Sequence, residues 1–421
     1  MANYSSIISM PETYLFFGNS ALRPIVIKNC NGRTSVPFGK AWIDRTRPSN
    51  NVPVTGIPFA FIFKEATDSF LDMILGLEKG GGDEQRPDAS ILDDNKKGAL
   101  ASIKKYLTED YDKHEKCILK LSEMDNEVEV KAILAVHLFA PLIPDLPDTD
   151  QYGIDNEHFP KDEQQRKCPS CGQKLRFTDT SFGNIEVWHG NADMILNKCT
   201  VTVNKEYDEA RRSTRHQAEH YDSDSDASVS SSSSFSFVEV KCHEKAGDKQ
   251  LCRQEEAEAQ AIAQTITNAF CEESDRDELI PSFLATHEKV KIYMYCCSKD
   301  VLLESNYIPI CPNGSLSIKT LVLVWLALNF DFYQVSDVFG EKFRDRLEYE
   351  LPLSNFHKIV GEDALKLYQH EASRHLIKKQ GDQMEEVEIP FHPSFYKLSI
   401  IDKDMFDIIQ LMDKISLIGK K

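Results

Sequence analysis

Apolar and polar residues along this chain change their spacing in ways that predict a mixed succession of strands and helices. Between Phe177 and Lys241 the alternation is that of strands, over Ile185–His189, Ala192–Leu196, Thr200–Val203 and Phe235–Lys241. Upstream, Lys97–Leu107 and Val128–Leu138 repeat their apolar positions at helical intervals, and the Pro- and Asp-rich stretch Pro141–Asp150 ends the second. Downstream, Arg253–Phe270 reads as a helix, KVKIYMYCC and DVLLES as a hairpin, and Ile318–Phe330 as a strongly apolar helix belonging to the core. A helical region then runs to Lys421. Residues 1–75 mix short apolar runs, Tyr14 to Phe17, Pro24 to Ile27 and Pro58 to Phe63, with Asn, Gly and Pro, which predicts strands and loops.

This order predicts an α/β fold, a mixed central sheet flanked by helices, with additions at both ends. The glycine-rich acidic stretch Gly80 to Asp94 suggests a boundary. We divide the chain into an N-terminal region 1–95, a core 96–335 and a helical C-terminal region 336–421. Within the core, residues 207–234 are expected to be a disordered insert. Their YDSDSDASVSSSSS run has too little apolar surface to offset its ordering entropy. Ser223 and Ser225, flanked by aspartates, fit acidophilic kinase sites, and the acidic insert could engage protein partners.

The 421 residues carry a net charge of −18, which opposes nonspecific attraction to a polyanion. An enzyme needs only a local basic groove, for which Lys174, Arg176, Lys198 and Lys205 are candidates. No run of eighteen apolar residues occurs, and Met1 to Pro11 lacks the pattern of a secretory signal. The expectation is a protein of cytoplasm or nucleus with no membrane span. Eleven irregularly spaced cysteines then read as buried thiols or metal ligands, Cys296 and Cys297 among the buried ones.

Two short motifs carry candidate chemistry. Gly190-Asn191-Ala192-Asp193 opens the apolar run Met194-Ile195-Leu196, and Phe237-Val238-Glu239-Val240-Lys241 ends a strand. Alternate side chains of a strand share a face, so Glu239 and Lys241 point one way while Val238 and Val240 point into the core. If the strand opened by Asp193 pairs alongside, two carboxylates meet in the oxygen-rich setting that Mg2+ or Mn2+ prefers, and the Val240 carbonyl could add a third ligand. Lys241 would orient or deprotonate a water. Each motif recurs by chance, at Gly80 to Asp83 and at Glu129-Val130-Lys131. The Glu129 copy runs into the helical AILAVHLF with no Asp strand before it, so context selects Asp193 and Glu239.

This pattern resembles the PD-(D/E)xK nuclease superfamily, whose motif is an Asp at a strand start and an acid-x-Lys on the next core strand. Val238-Glu239-Val240-Lys241-Cys242 is similar to the corresponding segment of the lambda-exonuclease and RecB-like branch. The resemblance implies a restriction-endonuclease-like core and metal-dependent hydrolysis of nucleic acid, DNA more than RNA. It also implies a glutamine on the following helix, Gln260 as first choice and Gln264 as second, and an acid on an upstream helix, Glu127 or Glu129, each of which also reads as a solvated charge. The alternative is a catalytically silent protein of the same fold that binds a partner.

Cys168-Pro169-Ser170-Cys171-Gly172 has the spacing of a zinc knuckle. Four ligands are needed, and Cys199, Cys242, His243 and Cys252 are candidates to complete a structural Zn2+ site; a pair of reduced cysteines in a tight turn is the alternative. A zinc-stabilised interaction protein is thus a third functional class. His189, beside the Asp193 motif at the end of a strand, is a candidate to contact phosphate, although a lone histidine there is more often structural.

Overall fold

A computed structural model describes residues 21–44, 56–78, 94–124, 126–144, 152–157, 159–160, 166–204, 246–273, 277–334, 338–340 and 351–376. Its centre is a mixed sheet whose strands are β1 (Ala21–Pro24), β2 (Ile57–Pro58), β3 (Gly153–Ile154), β4 (Met194–Leu196), β5 (Cys199–Val203), β6 (Ile280–Ala285), β7 (Lys289–Cys296), β8 (Val301–Ser305) and β9 (Ile308–Pro309). The spatial order is β2-β1-β8-β7-β6-β5-β4-β3, with β9 also on β7. Every pairing is antiparallel except β5 with β6, where Thr200 to Val203 face Ser282 to Ala285. A parallel neighbour requires a crossover, and helix α5 (Ala246–Glu273) lies between these two strands in the chain.

Helices cover both faces. On one, α5 buries Ile262, Ile266, Ala269 and Phe270, and α7 (Phe356–Glu371) packs over it through Phe356, Phe270 and Tyr368. A smaller sheet sits here too, where Ser181–Gly183 pairs with Trp188–Asn191 and Trp188 stacks on Phe356. On the other face, Phe139 meets Phe283 of β6. Helix α6 (Ile318–Leu328) is buried along Thr320–Leu328, as an all-apolar helix must be, and Ser317 caps it by accepting from the Thr320 amide at 3.1 Å. Helices α1 (Lys64–Glu78), α2 (Asp94–Lys105), α3 (Tyr111–Ile118) and α4 (Glu127–Leu134) complete the described helices the site requires.

Several expectations change. The run Pro58 to Phe63 makes only the short β2 and then turns helical, because Phe59 and Phe63 stack one turn apart and the Phe63 amide donates to the Phe59 carbonyl. Ile185–His189 is not a strand throughout. Asn184 accepts from the Glu186 amide and holds a turn, so the strand starts at Trp188. The boundary at residue 95 does not divide the sheet, since β1 of the first region pairs with β8 of the core. Residues 79–93, the insert 207–234 and residues 377–421 lie outside the described residues.

Trp325 anchors the second face, donating from its indole to the Ala99 carbonyl at 2.8 Å beside the rings of Phe70 and Tyr333. Trp325→Ala is expected to lower stability by about 3–5 kcal/mol, read as a fall in the urea midpoint. A change under about 1 kcal/mol would show that α6 is not part of the cooperative core.

Candidate functional site

Asp193 stands at the mouth of the β4–β5 hairpin. Two residues, Asn197 and Lys198, turn the chain between Leu196 and Cys199, and Asn197 has a φ of 52°. Gly190 of the same motif has a φ of 143° and lies so close to Phe38 that a Cβ would meet its ring at 3.2 Å. That conformation and approach explain the glycine. Asp193 then turns its carboxylate across the hairpin, Oδ2 accepting from the Val203 amide at 2.7 Å.

The other oxygen, Oδ1, accepts from Nζ of Lys131 at 2.5 Å. Lys131 is 1 % exposed on α4, while the Asp193 side chain is 20 % exposed. Glu127, one turn earlier on α4, places an oxygen 3.5 Å from the same ammonium, and Asp155 adds a further negative field. Burial disfavours the Lys131 charge, but Asp193, Glu127 and Asp155 outweigh it and hold the lysine above its usual range. Asp155 joins the site through its amide, which donates to the Asp193 carbonyl at 3.0 Å, and through Asn191, which donates to its carboxylate.

Lys131 was missed by context. It ends the Glu129-Val130-Lys131 copy, set aside for lacking an Asp strand before it; the partner strand instead comes later in the chain. The upstream acid that approaches Asp193 through Lys131 is Glu127, while the Glu129 amide is used in the helix cap by Asn126. On α5, the glutamine tied to this region is Gln264. It accepts from the Thr202 hydroxyl at 2.7 Å and donates to the Asn191 carbonyl at 3.3 Å, while Gln260, one turn earlier, is half-buried.

Glu239, Val240, Lys241, Cys242 and His243 lie outside the described residues, as does Lys205. Both edges of β4 are occupied by described strands, β5 and β3, so it is β5 that forms the ladder beside the Asp193 strand. Lys198 is paired with Asp331 at 2.9 Å, while Lys174 and Arg176 are exposed. His189 is half-buried, with Nδ1 at 2.8 Å from the Val187 carbonyl, a structural contact.

Below Lys131 the same helix continues to His137, whose Nε2 lies 3.4 Å from Sγ of Cys168. His137, Cys168 and Cys171 offer three ligand atoms all within 4.8 Å of one another, a possible holder of a metal ion. The third member is therefore His137 and not Cys199. Cys199 is buried in β5, where its thiol faces the Ala327 carbonyl and burial pushes its pKa well above the usual range. Cys252 falls on α5, with its side chain outside what is described. Cys296 and Cys297 are buried, as expected. The signal for His137 was weak, a single histidine in an otherwise apolar helix. His137 Nδ1 is 2.9 Å from Nδ1 of His114 on α3, and burial lowers both imidazoles to about 4.

No protein-family model, curated protein or solved structure matches the chain. No helix among the described residues is long and apolar enough to cross a membrane.

The two ends of the Lys131–Asp193 pair differ in access to water, and removing them should have unequal effects. Asp193→Asn leaves a buried ammonium with a weaker partner and is expected to cost about 3–5 kcal/mol. Lys131→Met should cost less, because Asp193 can hydrate. Urea unfolding of both variants checks the order, and a larger loss for Lys131→Met would contradict the burial argument.

Proposed function

We propose that this chain is a metal-dependent nuclease that hydrolyses phosphodiester bonds, on DNA in preference to RNA. The observation that carries the reading is the placement of Asp193, partly exposed at the opening of a hairpin and followed by α5 and the parallel strand β6. The acid Glu127 approaches from a helix upstream, and Gln264 approaches from the helix downstream. An acid at a strand start, an upstream helical acid and a glutamine on the following helix are what the resemblance to PD-(D/E)xK nucleases, with their restriction-endonuclease-like core, would require.

The surroundings of Asp193 suit a cation. The carboxylates of Asp193, Glu127 and Asp155 outnumber the Lys131 ammonium they surround, which leaves the setting negative. Asp193 and Glu239, with the Val240 carbonyl, would hold Mg2+ or Mn2+, hard ions that take oxygen ligands. Such an ion, when bound, lowers the pKa of a water and neutralises charge on the phosphate. Lys241 orients the attacking water and stabilises the charge that grows on the phosphoryl oxygens. Lys131 holds the Asp193 carboxylate in place, and Gln264 fixes the Asn191 backbone two residues before it. Water loses a proton as its oxygen bonds to phosphorus, the bond to one ester oxygen breaks, and that oxygen takes up a proton and leaves as an alcohol, one water being consumed for each bond cleaved.

One observation favours the catalytically silent alternative. Both oxygens of Asp193 are already engaged, by Lys131 and by the Val203 amide. In that reading Asp193 is a strand cap and the fold serves as a binding scaffold.

End-labelled single- and double-stranded DNA and RNA, incubated with the full chain and magnesium, manganese or EDTA, separate the two. The nuclease reading expects metal-dependent cleavage that falls at least ~100-fold in Asp193→Ala, Glu239→Ala and Lys241→Ala. Wild type and variants equally inert on every substrate would overturn it in favour of the scaffold.

A further inference from the structure

The loop Arg166–Leu175 is built as a thiolate-holding turn. Lys167 and Lys174 bridge antiparallel across its base, the Leu175 amide donates to the Arg166 carbonyl at 3.0 Å, and the Cys168 amide donates to the Gln173 carbonyl at 2.8 Å. At its tip the Gly172 amide returns to the Cys168 carbonyl at 2.9 Å, with Gly172 at a φ of +75° in open space. That left-handed step lets the chain fold back over its own sulfurs. The Cys168 sulfur receives the backbone amides of Ser170 and Cys171, and the Gln173 amide points at the Cys171 sulfur from 3.4 Å. Burial raises the Cys168 thiol to about 11, and these amides offset part of that.

The opposing donor comes from the core. His137, fully buried on the continuation of α4, directs Nε2 at Cys168. Sulfur at about 2.3 Å and nitrogen at about 2.0 Å from one tetrahedral zinc ion would lie roughly 3.5 Å apart. The observed separation is 3.4 Å. His114 meets the other ring nitrogen of His137 at 2.9 Å, is itself stacked on Tyr106, and the Tyr106 hydroxyl donates to the His137 carbonyl at 2.6 Å. With the His137 Nδ1–H donated to His114, Nε2 keeps its lone pair toward the sulfurs, as a metal-bound imidazole requires.

We propose that Cys168, Cys171 and His137 bind a zinc ion, with His114 orienting His137 from behind. A lone S–H to imidazole hydrogen bond would account for Cys168 and His137 but not for Cys171, which is exposed yet brings its sulfur into the same cluster. Soft thiolates with an imidazole select zinc over magnesium or calcium. The exposure of Cys171 leaves the fourth position open to water. The zinc would tie the 166–175 loop to the helix that carries Lys131. It would also brace β3, because the Ile154 amide donates to the Arg176 carbonyl just beyond that loop. The site uses none of the residues assigned to phosphodiester hydrolysis, so it stands or falls apart from that reading.

The test is metal analysis of the full chain purified without chelator under reducing conditions, followed by cobalt substitution. About one zinc per chain is expected, and the cobalt form should show thiolate-to-metal charge-transfer absorption. Cys171→Ser changes an exposed side chain and should fold, yet lose the zinc and the cobalt band. His137→Asn should lose both, and His114→Asn should weaken zinc binding by about 10–100-fold. Folding of each variant is followed by circular dichroism, and Cys171→Ser decides the matter if a buried variant fails to fold. A metal-free protein with both thiols reactive, a Cys168–Cys171 disulfide in their place, or zinc retained at full stoichiometry in Cys171→Ser would overturn the assignment.

Discussion

A lysine ammonium in an apolar interior needs negative partners, and the position of Lys131 sets what its surroundings must be. Asp193 supplies the nearest partner and thereby fixes the opening of the β4–β5 hairpin against α4. Its second oxygen closes the end of the same hairpin through the Val203 amide. One carboxylate therefore joins a helix of the layer below to two strands of the sheet. Replacing such a pair with apolar groups is often neutral for stability. Its presence here fits a role in placing charge, since it gathers Glu127 and Asp155 around one point.

The α4 helix is also the link between the two chemically distinct regions. Its first turns present carboxylates and an ammonium, hard groups suited to oxygen ligands and phosphate. Its continuation presents His137 to two sulfurs. A rotation of this helix that moved Lys131 away from Asp193 would carry His137 away from Cys168. Tyr106 resists it, holding the His137 backbone and stacking on His114.

The repeating elements were legible because their period was long enough to count. The helix expected at Ile318–Phe330 forms over Ile318–Leu328, and the two hairpin strands form over Lys289–Cys296 and Val301–Ser305. Asp193 stood out because a glycine-bearing turn preceded an apolar strand. Lys131 and His137 did not, since Lys131 belonged to a motif copy with no Asp strand before it, His137 is a single histidine in an apolar stretch, and the partner of each lies elsewhere in the chain. Periodicity reports which face is buried, but not what a buried polar group meets. The same limit applies to Gln264, the second choice, whose amide spans from Thr202 to Asn191.

The pairing of β1 with β8 sets a timetable for synthesis. Leu22 faces Ser305 and Pro24 faces Leu303, so the second strand from one edge of the sheet is made near the start and must wait for its neighbour. At roughly 5–20 residues per second, that wait is on the order of 15–60 s. During it, β1 and the short β2 have no sheet to join, while the segments that follow can pair locally as they emerge. The first described strand is thus among the last to be seated, and its unpaired edge is where a ribosome-bound intermediate would be most open to chaperones or to association with another nascent chain.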